Sequence, residues 1–361
     1  MQNLWYILLY IICIFYKINL GGVKMNMRKL IRFGKNSYVL SLPKPWVEKN
    51  KLQKGDLISI EEAKDGLFLK TNSTETLKEE PKSIVIEAEN KSPDILRTEI
   101  VSAYLNNYNM IEVISKDLKN KAPEIKSMLQ NLSGLEIINQ SSTRIVAKDL
   151  IDIKEIPIKT LIRRMDNIAR AMLEDTFNCF CGKEDAESII HRDEDVNRLH
   201  FLTSRIIRGA LKDVRIANSL QTNSLRLHSD HTVTTMIERI ADNTKRICRY
   251  IGDTKVSGKW SEEMKTLFNS IKQSYFDVMR SYHTNDEKIA LEVEKRNKEI
   301  IVACDSFFEK HYHKDLKFTN GDGKGVCNFR PACAATAKIV ENMKAMASSV
   351  KYIARTVIGG G

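Results

Sequence analysis

Ile237-Glu238-Arg239-Ile240-Ala241-Asp242-Asn243-Thr244-Lys245-Arg246-Ile247-Cys248-Arg249-Tyr250-Ile251 sets the architecture of this chain. Ile237, Ile240, Thr244, Ile247 and Ile251 recur at steps of three and four residues, so they form one apolar stripe along a helix. The same periodicity runs through Ile158–Phe180, Glu184–Lys212, Ser224–Ile251, Ser261–Tyr282, Asp286–Tyr312 and Ala332–Val357. Pro157 stands at the first helix start, where its missing N–H does no harm. Six helices of roughly 20–30 residues on short links describe bundles, not a solenoid of 34-residue repeats. The quoted stretch also has an internal counterpart. With Glu238 over Glu341, Ile237 falls on Val340, Ile240 on Met343, Ile247 on Val350 and Tyr250 on Ile353. The apolar face is kept and the polar face diverges, which predicts two related three-helix bundles, 156–254 and 257–358, rather than one six-helix core.

Upstream of the helices the pattern changes twice. Residues 82–154 alternate strand and helix: strands at 83–87, 110–115, 135–139 and 144–147, helices at 93–107 and 122–132. That is a small α/β domain without a glycine-rich phosphate loop. Residues 27–76 read as short strands (29–32, 37–42, 57–61, 66–70) with turns at Gly34-Lys35-Asn36, Lys54-Gly55-Asp56 and Lys64-Asp65-Gly66. Pro43-Lys44-Pro45 stops the second strand, and Trp46–Asn50 makes one helical turn. The polar, Pro-containing run 72–82 is a linker. Leu4–Tyr16 is apolar, but 13 residues fall short of a spanning helix and no charge precedes them. Residues 1–26 are therefore expected to be an extension without a fold role.

Composition narrows the function classes. With 42% hydrophobic and 29% charged residues, the chain is neither a disordered tail nor a polytopic membrane protein. Its 57 Lys and Arg against 46 Asp and Glu leave +11, a balance that suits a polyanion partner. Seven scattered cysteines, an odd number, point to reduced thiols and a cytoplasmic location rather than a disulfide framework. No Ser/His/Asp or Cys/His constellation, phosphate loop or HExxH string stands out, so no enzyme is expected. His191, His200, His228 and His231 read as surface or packing residues.

Two features carry candidate chemistry. On the third helix Glu238 and Asp242 stand at i and i+4, and on the second Asp193 and Asn197 do the same. Two pairs of oxygen donors on neighbouring helices form a plausible carboxylate-rich metal cluster. Like charges at that spacing repel, and Arg239, or Lys245 and Arg246 one turn on, would compensate them without any metal. In the second half Ala345 replaces the second carboxylate, and Glu292–Arg296, Glu294–Lys298 and Lys295–Glu299 read as solvent-face ion pairs. The other feature is basic. From Met25 to Ile60 there are eight Lys and Arg against Glu48 and Asp56, a net of +6, more than half the chain's surplus.

The strings Ile189-Ile190-His191-Arg192-Asp193-Glu194-Asp195-Val196-Asn197-Arg198-Leu199 and Glu238-Arg239-Ile240-Ala241-Asp242 resemble PhoU-domain proteins. That resemblance implies paired three-helix bundles binding a divalent or ferric ion (iron, zinc or magnesium) at Glu238, Asp242, Asp193 and Asn197. Ser41-Leu42-Pro43-Lys44-Pro45-Trp46-Val47 and Leu52-Gln53-Lys54-Gly55-Asp56, with the basic run before them, resemble a SpoVT/AbrB-type DNA-binding domain. This implies a swapped-hairpin β-barrel homodimer, with Arg28, Lys29, Arg32, Lys35 and Lys44 on DNA. The fold class expected is thus multidomain and mainly α: a β-barrel, a small α/β domain, then two tandem three-helix bundles. The combination is similar to archaeal-type phosphate-uptake regulators, which implies a phosphate-linked transcriptional regulator. The alternative is an adaptor that docks on a phosphate transporter or sensor kinase without touching DNA, meeting the membrane only indirectly.

Overall fold

The computed structural model describes residues 27–35, 37–63, 66–71, 82–182, 186–253, 259–312 and 331–360. The extension 1–26 and nearly all of the linker 72–82 lie outside these. The chain forms two compact units, Met1–Lys78 and Glu79–Gly361, taken here one at a time.

In the first unit, β1 (Ile31–Phe33) and β2 (Ser37–Val39) form one antiparallel hairpin, with Ile31 opposite Val39. Pro43 caps α1 (Lys44–Lys49), a single turn and a half with Pro45 at its start. The turn that follows is closed by Asp56, whose Oδ2 accepts the Gln53 backbone N–H at 2.7 Å. β3 (Ile58–Ala63) and β4 (Gly66–Thr71) make a second antiparallel hairpin, from Ile58 opposite Thr71 to Ala63 opposite Gly66. The two hairpins are separate two-stranded sheets. None of the described side chains of this unit is buried. Phe33 is 70% exposed, Leu57 74% and Leu67 66%.

The second unit starts with a two-layer α/β domain. Strands β5 (Ser83–Glu87), β6 (Met110–Ile114), β7 (Leu135–Gln140) and β8 (Arg144–Asp149) lie in the order β5-β6-β8-β7. β5 and β6 are parallel, joined by α2 (Pro93–Leu105); the other pairings are antiparallel. One face, through Ile86, Ile111, Val113, Ile145 and Ala147, packs on α2 and on α3 (Leu118–Gln130). α3 begins four residues before the expected start and continues past Pro123. Burial of Leu118 in the core, at 1% exposure, outweighs the one backbone bond that the proline removes.

Six long helices follow: α4 (Ile158–Phe180), α5 (Glu187–Lys212), α7 (Ser224–Asp253), α8 (Lys259–Thr284), α9 (Glu287–Tyr312) and α10 (Pro331–Ile358). A short α6 (Val214–Ser219), which the periodicity did not announce, is nucleated by Asp213, whose carboxylate accepts the Arg215 N–H. α4, α5 and α7 pack together, as do α8, α9 and α10. The two triplets do not enclose separate cores, however. α7 packs on α10, and the buried side chains of all six helices merge into one cluster. The aligned positions explain this. Ile237, Ile240 and Ile247 are fully buried, and so are Val340, Met343 and Val350, because each stripe is wide enough to serve its own triplet and its counterpart.

The α/β domain is clamped to α5. Arg205, 2% exposed, forms a bidentate ion pair with Asp149 at the end of β8, whose side chain is 3% exposed. Its Nε donates to Asn107 Oδ1 at 2.9 Å, and the guanidinium lies 4.6 Å from the centre of the Tyr104 ring.

Candidate functional site

α5 and α7 run side by side, and their facing turns bring the expected residues together. Asp193 lies on the inner side of α5 at 2% exposure, and one turn on Asn197 donates its amide N–H to Asp193 Oδ2 at 3.0 Å. From α7, the Lys245 ammonium forms an ion pair with the same Oδ2 and sits 3.2 Å from Asp242 Oδ1. Arg246 takes the other Asp242 oxygen at 2.6 Å. Asp193 Oδ1 is buried with no hydrogen-bond partner.

Glu238 completes the group. Burial pushes its carboxyl up to about 7, and the nearby charges of Asp242 and Asp193 push the same way; Arg239 and Lys245 pull less strongly in the other direction. Burial draws the Lys245 ammonium down, but its bonds to Asp193 and the field of Asp242 outweigh that, so the net shift is upward. The Lys245 ammonium therefore bridges Asp193 and Asp242, with Asn197 on the far side of Asp193 and the Glu238 carboxyl near enough to feel both acids. Among the described residues no group of three His, Cys, Asp or Glu side chains is arranged to hold a metal ion. The donor set does not fit the expected metal cluster. Two of its carboxylates are already bridged by a lysine, and the Asn197 amide offers its N–H to Asp193.

The second half lacks the arrangement. Glu341 is exposed, Lys298 pairs with Glu294 at 2.9 Å as expected, and Arg296 reaches across to Asp277 on α8 at 2.9 Å.

Three buried polar groups were not foreseen. Besides the Arg205 clamp, Asp166 on α4 accepts from Arg170 at 2.8 Å and lies 3.0 Å from His283 Nε2 on α8. Asp230 on α7 accepts from the Tyr282 hydroxyl at 2.5 Å and pairs with Arg226 at 2.8 Å. The available signal was an ionisable residue inside an apolar run, as with Arg205 before Ile206 and Ile207. His200, expected to be a surface or packing residue, is half-buried and packs with its Nδ1 shut off from solvent. Burial, reinforced by His231, lowers it to about 4, so its ring is neutral at ordinary pH.

In the N-terminal unit Arg28, Lys29, Arg32, Lys35 and Lys44 are all exposed. Arg28 and Lys29 lead into β1, Arg32 stands opposite Tyr38 within the hairpin, and Lys35 lies in its turn. Lys44 makes only a surface pair with Glu48, at 3.6 Å.

These observations define a mainly helical, multidomain chain with a basic β module at its start. Comparison with known proteins makes the parts specific. Residues 162–251 match the model of the PhoU domain, and residues 31–77 match that of the antidote-toxin recognition MazE, a bacterial antitoxin. The chain thus carries a PhoU domain in its helical unit and a MazE/AbrB-like domain at its N-terminus. Among solved structures it is similar to PhoU from Pseudomonas aeruginosa, at 14% identity and a TM-score of 0.45, over 56% of this chain and 93% of that one. It is similar also to the phosphate transport system regulatory protein PhoU from Streptococcus pneumoniae, at 14% identity and 0.44, over 56% and 91%. No curated protein matches the chain.

Proposed function

We propose that this protein is a phosphate-linked transcriptional regulator. Its N-terminal unit binds DNA as a homodimer, and its PhoU-like helices receive the phosphate-related signal through a protein partner. The observation that carries the reading is the state of the β module. It presents two separate two-stranded hairpins whose apolar side chains, among them Phe33 and Leu67, are exposed, as are the cations Arg28, Lys29, Arg32, Lys35 and Lys44. A lone two-stranded hairpin is marginal in water, so these strands need a second sheet to cover them. A second copy supplies it, and pairing doubles the positive face formed by Arg28, Lys29, Arg32, Lys35 and Lys44.

The test is a salt titration of DNA affinity. Each phosphate neutralised contributes about −0.9 to the slope of log K against log salt. Replacing Arg32 and Lys35 by Ala is expected to flatten the slope by roughly two to four units in the dimer, one for each phosphate no longer neutralised. An unchanged slope removes the module from the DNA interface and leaves the adaptor reading, in which the hairpins only join two chains.

A further inference from the structure

We propose that Lys245 is the resident cation of the α5–α7 cluster, so that this seam is held by an internal ammonium and takes no divalent metal. A hard cation needs anionic oxygens converging on a point that no other cation occupies. Here the point is taken. The ammonium touches Asp193 on one helix and Asp242 on the next, and the lysine side chain is only 17% exposed. A metal at the same oxygens would stand beside this positive charge and be repelled by it, so the ammonium would have to leave both carboxylates first.

The second half supplies an independent argument. The buried stripe of α5 runs Ile189, Asp193, Val196, and that of α9 runs Val293, Asn297, Ile300. Asn297 thus takes the place of Asp193, while Ala345 takes that of Asp242 and Ser348 that of Lys245. The two acids and the lysine are absent together. A decayed metal site would lose its carboxylates but has no reason to lose a lysine; a set of mutual counter-ions loses all three.

The experiment uses the full-length chain and has two arms. In the first, metal content is measured on the purified protein, and melting is followed with EDTA and with added magnesium, manganese or zinc. The expected result is substoichiometric metal and a Tm that moves by no more than about 1 °C in any of these conditions. Roughly one ion per chain, with a Tm that falls on chelation, overturns the proposal. In the second arm, Lys245→Met should lower Tm by roughly 5–15 °C, because it leaves Asp193 buried without a counter-charge. Adding Asp193→Asn to that variant should restore more than half of the loss with no metal present. A Lys245→Met protein as stable as the wild type also overturns the proposal. If the single variant does not fold, the double variant and the metal measurement decide. Neither readout involves DNA, so the outcome is independent of the function proposed above.

Discussion

Arg205→Met is the most demanding perturbation of the frame that joins the α/β domain to the helices. The substitution keeps most of the side-chain volume and removes the charge. What remains is the Asp149 carboxylate, 3% exposed, with only the Ile151 N–H at 3.2 Å in place of the guanidinium. Breaking one side of a buried ion pair costs about 3–5 kcal/mol. The missing stacking on Tyr104, at 4.6 Å, adds about 1 kcal/mol, and the missing bond to Asn107 adds about 1 kcal/mol. Allowing for overlap, the total is about 4–6 kcal/mol, or a Tm lower by roughly 10–20 °C for a unit of this size. Calorimetry of the full chain measures it, and hydrogen exchange at α2 and β8 locates it. Asp149→Asn added to the same chain should recover at least half, because no charge is then stranded. A single variant that costs less than about 1 kcal/mol, or a double variant whose cost is the plain sum of the singles, would refute the clamp.

Two further outcomes follow from particular residues. His200 is lowered to about 4 by burial and by His231, so between pH 6.5 and 4 the unfolded chain binds a proton that the folded chain refuses. Stability therefore falls as pH drops through that window, by up to about 3 kcal/mol from this residue. His200→Gln should flatten the acid limb of a denaturation series, and an unchanged limb would show that the ring is not held neutral. Gly134 has φ +86°, and a Cβ there would overlap the Ile151 side chain, whereas Gly182 at φ +71° faces open space. Gly134→Ala should cost about 2–4 kcal/mol and Gly182→Ala about 1, measured by urea unfolding; equal costs would mean that Ile151 gives way freely.

Much of the architecture was legible because long helices advertise themselves. A stripe such as Ile237, Ile240, Thr244, Ile247 repeats over several turns, and its counterpart ending at Ile353 is buried as the alignment implied. Short elements carry no such redundancy. α6 is six residues held by one capping side chain, and β2 stops at Val39 where the β-rich run continues to Leu42. The candidate site was legible as a set of residues but not as a geometry. Periodicity places Glu238 and Asp242 on one face, yet says nothing of which neighbour turns toward Asp193. That partner is Lys245, 52 positions away in sequence. The Arg205 clamp was invisible for the same reason, since Asp149 lies on a strand of another domain, 56 positions back. Pairings between elements depend on how helices are rotated about their axes, and no spacing within one helix encodes that.

The joining of α7 to α10 has a consequence for how such a duplicated protein can be read. With Ile237, Ile240 and Ile247 in the same interior as Val340, Met343 and Val350, neither triplet can open alone without exposing the other. The repeat therefore behaves as one melting body and offers no half that acts as a separate moving part. In the apolar core the halves are near-equivalent; in the polar groups of their helix seams they are not, since one seam carries Asp193, Asp242 and Lys245 and the other Asn297, Ala345 and Ser348. The duplication has kept its oil and let its charges diverge, so that among the described residues the buried acids lie in one half alone.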